Sequence, residues 1–262
     1  MRTVKPKKGL GQHFLTDDNV AARIAATIDC CPQIPVVEVG PGMGVLTRHL
    51  LENGRTLKVV ELDKESVEWL QTNMPQLGAE NIIEGDFLKM DIADFFPGED
   101  ICVIGNYPYN ISSQIFFHVL DYRDKVVCCA GMLQKEVAER LAAKPGTKAR
   151  GILSVLLQAW YDVEYLFTVD ETVFDPMPKV KSGVIRMRRN SVKELGCDEK
   201  AFKNVVKTTF SQRRKTLRNS LKPLMPPDWK PAPEIERMMA LRPEQLSVDE
   251  FIQLTRAVQK KE

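Results

Sequence analysis

The chain has 262 residues, 44% hydrophobic and 27% charged, the composition of an ordinary globular protein with one large domain or one domain and a small appendage. Its longest apolar stretch, 126–133, is far short of a membrane span, and the basic opening 1–11 has no apolar core of the secretory kind, so a cytoplasmic protein is expected. The net charge is only +2, yet the runs 1–11, 177–193 and 207–222 carry bases and no acid, which leaves open either solvated faces or a surface that attracts a polyanion such as RNA.

After the basic arm, Thr16-Asp17-Asp18 can cap a helix over 19–28. A buried strand is expected over 36–39, then the turn Gly40-Pro41-Gly42-Met43-Gly44 and a helix over 45–53. Strands over 57–61, 81–84 and 101–105 follow, with a helix over 64–74 after the first. Helices over 112–120, 135–143 and 151–161 surround a long buried strand over 125–133. Two late strands, 163–169 and 184–188, can form an antiparallel hairpin at one sheet edge. Alternation over 36–133 implies a parallel sheet covered by helices. Beyond 190 no strand is legible; helical spacing appears at Phe202, Val205, Val206 and Phe210, then at Leu217 and Leu221. Pro223, Pro226, Pro227, Pro231 and Pro233 interrupt the chain before helices over 234–239 and 248–260. The expected division is 1–190 as the α/β domain and 191–262 as a small all-helical domain.

Four features carry chemistry. Glycines at a strand-to-helix turn let a ligand approach the backbone above a helix N-terminus. Glu61 lies 21 residues past Gly40 at the end of the second strand, where a carboxylate can accept from two ribose hydroxyls. Asp86 ends the third strand, where an acid can accept from an adenine amine. Asn106-Tyr107-Pro108-Tyr109 ends the fourth. There the Asn oxygen and the carbonyl before Pro108 can accept both hydrogens of one planar amine, and the Tyr109 ring can lie on a base. A strand-end turn is the plain alternative for that tetrapeptide.

Phe174 begins a proline-stiffened loop and is read either as a second face of a base clamp or as core. Lys179 and Lys181 suit phosphate contacts. Arg213, Arg214, Lys215 and Arg218 suit an RNA backbone, with Arg214 and Arg218 on one helix face at i, i+4, or else they brace the helical domain. Cys30-Cys31 and Cys128-Cys129 are adjacent pairs, not CxxC spacings, and the three histidines are scattered, so reduced thiols and no protein-bound metal are expected.

Seven segments together resemble the small-subunit rRNA adenine dimethyltransferase family. They are Gly11-Gln12-His13-Phe14-Leu15; Glu38-Val39-Gly40-Pro41-Gly42-Met43-Gly44-Val45-Leu46-Thr47; Val60-Glu61-Leu62-Asp63; Gly105-Asn106-Tyr107-Pro108-Tyr109-Asn110-Ile111-Ser112; Met132-Leu133-Gln134-Lys135-Glu136-Val137; Phe174-Asp175-Pro176-Met177-Pro178-Lys179-Val180-Lys181-Ser182; and Gln212-Arg213-Arg214-Lys215-Thr216-Leu217-Arg218-Asn219-Ser220-Leu221. The last three are the specific ones, since the glycine motif alone fits many methyltransferases. The resemblance implies a Rossmann-like class I methyltransferase sheet, S-adenosylmethionine as cofactor, and dimethylation of two adjacent adenosines in the terminal hairpin of small-subunit rRNA. It also implies the small ribosomal subunit as partner, a monomer, and no membrane or metal. It assigns the cofactor to His13, Leu15, Gly40, Gly42, Gly44, Glu61, Leu62, Asp86, Phe87 and Asn106, and the target base to Asn106, Tyr107, Pro108, Tyr109 and Phe174. His13 stands where the family usually has Asn, and Tyr107 where it usually has Leu. Rival readings are a large-subunit rRNA adenine methyltransferase of the antibiotic-resistance type, which the 212–221 segment disfavours, a DNA adenine methyltransferase, and an assembly factor that acts mainly by binding.

Overall fold

Runs of β-branched residues between glycine and proline punctuation build the sheet. The computed structural model describes residues 4–225 and 229–259; Arg2 of the basic arm, Pro226 and Pro227, and Lys260 at the expected end of the last helix lie outside the described residues. The strands are β1 (Phe14–Leu15), β2 (Val36–Val39), β3 (Leu57–Glu61), β4 (Ile82–Glu84), β5 (Ile101–Asn106), β6 (Val126–Gln134), β7 (Tyr161–Val169), β8 (Phe174–Asp175) and β9 (Ser182–Arg189). The helices are α1 (Asp18–Ala25), α2 (Val45–Glu52), α3 (Lys64–Asn73), α4 (Ser112–Asp121), α5 (Lys135–Leu141), α6 (Ile152–Gln158), α7 (Glu199–Ser211), α8 (Leu217–Ser220), α9 (Pro233–Met238) and α10 (Val248–Val258).

Seven strands form one sheet in the order β4-β3-β2-β5-β6-β9-β7. β4, β3, β2, β5 and β6 run parallel, and β9 is antiparallel to β6. The two late strands do sit side by side at one edge, with β7 outermost. β2 is buried along its whole length, as a central parallel strand covered on both faces must be. Helices α2, α3 and α4 make three of the four crossovers and the 3-10 turns Phe87–Lys89 and Ile92–Asp94 lie in the fourth, between β4 and β5; each returns the next strand in the same direction. β1 and β8 pair antiparallel, Leu15 opposite Phe174, in a second two-stranded sheet. Those strands are too short to leave a periodic signal in the sequence. Asp17 caps α1 by accepting from Val20 N, and Asp63 caps α3 by accepting from Glu65 N.

The chain divides into two units. The first holds the residues up to Ala138 and Val163–Arg189; the second holds Glu139–Asp162 and the chain from Asn190 onward. The expected boundary at 190 therefore misses 139–162. Within the second unit α6 packs on α7, and its Leu153, Val155, Leu156 and Leu157 are buried. The Arg150 side chain, fully buried there, donates to Ala143 O at 2.6 Å and Gln158 Oε1 at 2.6 Å. Phe210 stacks on Phe251 with ring centroids 6.1 Å apart. Among the described residues no helix is long and apolar enough to cross a membrane.

Candidate active site

The ends of β4, β3, β2 and β5 stand side by side, which brings Asp86, Glu61, Gly40 and Asn106 into one row. Ligands bind at such carboxyl ends because the turns there expose backbone donors. Gly40, Gly42 and Gly44 all have positive φ, 69°, 55° and 70°. They differ in what they make room for. A Cβ on Gly40 would meet only Pro108 Cδ, at 4.0 Å, so its face is left to a ligand. One on Gly42 would press within 2.9 Å of the Phe14 ring. One on Gly44 would fall 2.1 Å from Met74 Sδ. Gly44 is therefore a packing glycine and does not line the cavity, against its expected cofactor contact.

Glu61 braces this turn: its carboxylate accepts from Gly42 N at 3.0 Å and Asp63 N at 2.8 Å. Burial raises its pKa and those backbone donors oppose the rise. Glu38, on β2, also lines the cavity and went unnoticed as a site residue in the sequence. It is completely buried, and burial first, then the charge of Glu61, push its pKa up to about 8 against a lowering by Thr47; its Oε2 has no partner. An acid in the middle of the apolar run Val36-Val37-Glu38-Val39 was the available signal.

The arm closes one side. Lys7 pairs with Asp63 and, at 3.2 Å, with Glu65; Gln12 Nε2 donates to Asp63 Oδ2 at 3.4 Å. Thr16 N and Oγ1 both donate to Val173 O at 2.9 Å, and the β1–β8 ladder continues this tie. Leu15 lines the cavity and is 6% exposed. His13 stacks on Tyr109 with centroids 5.4 Å apart and planes at 28°, and its Nδ1–H donates to Pro176 O at 2.7 Å. The His13 carbonyl accepts from Asn106 Nδ2 at 3.1 Å. That contact turns the Asn106 amide so that Oδ1, which accepts nothing among the described residues, is available to another donor.

Tyr107, Pro108 and Tyr109 line the same cavity. The Tyr107 side chain turns inward: it is fully buried, its hydroxyl donates to Ala130 O at 2.7 Å, and its ring meets Phe116 edge-on at 5.5 Å. Two glycines house it. A Cβ on Gly131 would lie 2.6 Å from Tyr107 Cε2, and one on Gly105 would lie 3.1 Å from Cε1. The Tyr107 ring thus belongs to the core, and its backbone is what it leaves to the cavity. Tyr109 is pinned by its hydroxyl, 2.6 Å from Ser182 Oγ.

Several expected site residues lie elsewhere. Phe174 is 5% exposed and belongs to the core cluster with Leu15, Ile24 and Val184; it does not line the cavity, so its burial corrects the clamp reading in favour of core. Leu62, Asp86 and Phe87 stand outside the cavity wall, on the adjacent strand ends. Leu62 is 53% exposed, Asp86 caps the turn Phe87–Lys89 by accepting from Leu88 N, and the Phe87 ring packs edge-on against His118 at 5.3 Å.

The basic residues are less bare than their sequence implies. Lys181 pairs with Asp170 at 2.9 Å, Arg186 with Glu164 at 3.1 Å and Arg188 with Glu164 at 3.4 Å. α7 ends at Ser211, so Arg213, Arg214 and Lys215 lie in a turn and Arg214 does not share a helix with Arg218. The expected i, i+4 face does not form, because Thr216 starts a new helix as N-cap. Arg218 pairs with Glu236, and Arg213 donates to Lys148 O and lies 4.0 Å from Glu244. Lys179, Arg214 and Lys215 are exposed and have no ion-pair partner among the described residues.

A family model described as ribosomal RNA adenine dimethylase matches residues 3–260. A protein of Parabacteroides distasonis named ribosomal RNA small subunit methyltransferase A is 65% identical over 261 residues, 99% of this chain and 96% of its own length. A protein of the same name from Bacteroides thetaiotaomicron is 62% identical over 259 residues, 99% of this chain and 96% of its own. Among solved structures, a dimethyladenosine transferase from Plasmodium falciparum superposes with a TM-score of 0.78 at 24% identity, over 92% of this chain and 96% of its own. The 23S rRNA methyltransferase ErmE superposes with a TM-score of 0.69 at 26% identity, over 94% of this chain and 99% of its own. The sheet and helices are those of a Rossmann-like class I methyltransferase.

Proposed function

The chain belongs to the ribosomal RNA adenine dimethylase family, and on that premise we propose that it dimethylates N6 of two adjacent adenosines in the 3'-terminal hairpin of small-subunit rRNA. It is an rRNA adenine dimethyltransferase, and its partner is the small ribosomal subunit. We take it to act in the cytoplasm as a monomer, late in subunit assembly.

The carrying observation is the Asn106 amide. The His13 carbonyl holds its nitrogen, and Oδ1 stands unspent beside the Tyr107 backbone and the Tyr109 ring. Two acceptors and one aromatic face suit the exocyclic amine of a flipped adenine. Accepting both N–H bonds draws the nitrogen lone pair out of conjugation with the ring. Tyr109, fixed by Ser182 and backed by His13, supports the base on one face. No side chain need become a covalent intermediate: alignment of the amine supplies the acceleration.

The cavity fits S-adenosylmethionine by its donor set. Gly40 presents a bare backbone, Glu61 a carboxylate, and Glu38 a buried oxygen without a partner. Gly40, Gly42, Glu61, His13 and Leu15 would hold it, with Leu62, Asp86 and Phe87 serving its adenine on the neighbouring strand ends. When bound, it supplies an electrophilic methyl group on a sulfonium.

The test incubates the protein with labelled cofactor and undermethylated small and large subunits together, then maps the labelled nucleotides. Two adjacent dimethylated adenosines in the terminal hairpin are expected. Label in large-subunit rRNA only would support the ErmE-like reading; binding without label would support an assembly factor.

A further inference from the structure

Adjacent cysteines at 30–31 and a cysteine nearly a hundred residues later, at 128, have no metal spacing in the sequence, yet the fold gathers them. The Sγ atoms of Cys30, Cys31 and Cys128 all lie within 4.8 Å of one another, and Cys30 Sγ is 3.8 Å from Cys31 Sγ. Cys128 lies on β6 directly opposite Cys102 of β5. Cys30 and Cys31 follow the 3-10 turn Ala26–Ile28, which packs on β6. We propose that Cys30, Cys31 and Cys128, with Cys102 behind them, form a thiolate site for a soft d10 cation, zinc or copper(I).

Three observations carry this. The first is spacing. Zinc–sulfur bonds of about 2.3 Å put sulfurs about 3.8 Å apart at the corners of a tetrahedron, so the longest edge here need contract by no more than about 1 Å. A disulfide would need about 2.05 Å, much further from the observed separations. The second is access. Cys30 is exposed, Cys31 half-buried, and Cys128 and Cys102 buried, so the site opens to solvent on one side and is walled by protein on the other. The third is support around the ligands. Arg55, only 7% exposed, donates to Cys31 O at 2.7 Å and Ile34 O at 3.0 Å, which fixes the backbone carrying Cys31. Arg186 donates to Thr27 O at 3.4 Å, the carbonyl that Cys30 Sγ approaches at 4.0 Å. Its positive charge faces Cys30 and Cys128 and offsets the charge left when several thiolates bind one cation.

The chemistry balances as an exchange: the cation enters, each ligating thiol gives its proton to solvent, and no oxidation occurs. Because each ligating thiol must lose its proton, cation affinity rises with pH. Cys102 is the second residue of β5 and Asn106 its last, which separates the thiols from the cavity by roughly 13 Å along the strand. The cation would therefore tie the segment after α1 to the sheet, and take no part in methyl transfer.

The test strips the full-length reduced protein with a chelator, then titrates it with Co2+ as a spectroscopic probe, with Zn2+, and anaerobically with Cu+. One equivalent of Co2+ should give a thiolate-to-cobalt charge-transfer band that Zn2+ abolishes, and the metal content of the protein as isolated, measured before stripping, identifies the natural occupant. Loading should raise Tm while methyl transfer stays unchanged. Cys30→Ser, at an exposed position, should fold and weaken binding at least tenfold, as should Cys31→Ser; Cys197→Ser should bind as wild type. No band at equimolar Co2+ together with no affinity for Zn2+ or Cu+ would overturn the proposal. So would Cys30→Ser matching Cys197→Ser, or a disulfide among these cysteines in the protein as isolated.

Discussion

Asn106 reaches the cavity by way of one contact, its amide nitrogen on the His13 carbonyl, and that contact makes a residue-scale prediction. On the proposed role, Asn106→Ala removes an aligned acceptor at the reacting centre, which costs roughly 2–4 kcal/mol of barrier. Turnover should fall at least about thirtyfold with circular dichroism and Tm close to wild type; a fall of less than threefold would remove Asn106 from the chemistry. Glu38 makes a second prediction, on stability against pH. Its folded pKa of about 8 lies above the ordinary carboxylate value, so the folded state holds the proton more tightly than the unfolded chain does. Stability from this group is complete below about pH 4.5 and is lost as pH rises towards 8, where the folded carboxyl ionises too. Glu38→Gln keeps the shape of the protonated acid and removes the titration. Denaturant midpoints of the unliganded variant should therefore gain on wild type between pH 5 and pH 8, by an amount on the order of a few kcal/mol. Parallel pH profiles would show that Glu38 is charged in the folded protein.

Tyr107 shows how neighbouring strands make room for a large buried ring. Its ring occupies the space left by two glycines on neighbouring strands, and a Cβ on Gly131 would meet Gly105 O at 2.2 Å as well as the ring. Gly131 also has φ 150°, so Gly131→Ala adds backbone strain to a clash that backbone atoms cannot relieve. Unfolding free energy should drop by about 3 kcal/mol or more, with Tyr107→Leu in the same chain restoring only part of it; a drop below about 1 kcal/mol by chemical denaturation would mean the strands shift freely. Elements of this kind were legible where punctuation was strong. β2 and β3 have the bounds their apolar runs imply, since Pro35, Gly40 and the charged ends mark them. The row of Gly40, Glu61, Asp86 and Asn106 was legible too, because parallel alternation places strand ends together. Legibility failed where the signal was tertiary. The end of α7 at Ser211 carries no glycine or proline, so the run through Arg218 reads as one helix. Tyr161 reads as the end of a helix and instead opens β7. Phe174 is buried because β8 pairs with the arm, a contact across more than 150 residues. The thiol cluster depends on strand register and on the packing of a 3-10 turn, neither of which a spacing rule sees.

At the scale of the whole molecule, charge decides how RNA is held. Thirty-seven bases against 35 acids leave a net of +2, so attraction depends on where the acids lie. Segments without acids in sequence gain them in space: Asp170 pairs with Lys181, Glu236 with Arg218, and the single carboxylate of Glu164 is shared by Arg186 and Arg188. Among the described residues of the two later basic runs, Lys179, Lys193, Lys207, Arg214, Lys215 and Lys222 are exposed cations without an ion-pair partner, and of these Arg214 and Lys215 are adjacent in the turn after α7, which makes them the pair to test for phosphate contacts. Each phosphate contact contributes about 0.7–0.9 to the slope of log affinity against log salt, through release of condensed counterions. Arg214→Gln with Lys215→Gln should therefore weaken binding to the small subunit and lower that slope by about 1.4–1.8, with Tm and cofactor affinity unchanged. Arg218→Gln, whose guanidinium is engaged by Glu236, should lower Tm and leave the slope within about 0.3 of wild type. Binding measured at several salt concentrations separates the two. If Arg218→Gln lowers the slope and the double variant does not, the Arg218–Glu236 pair opens on RNA and the turn after α7 faces away from it.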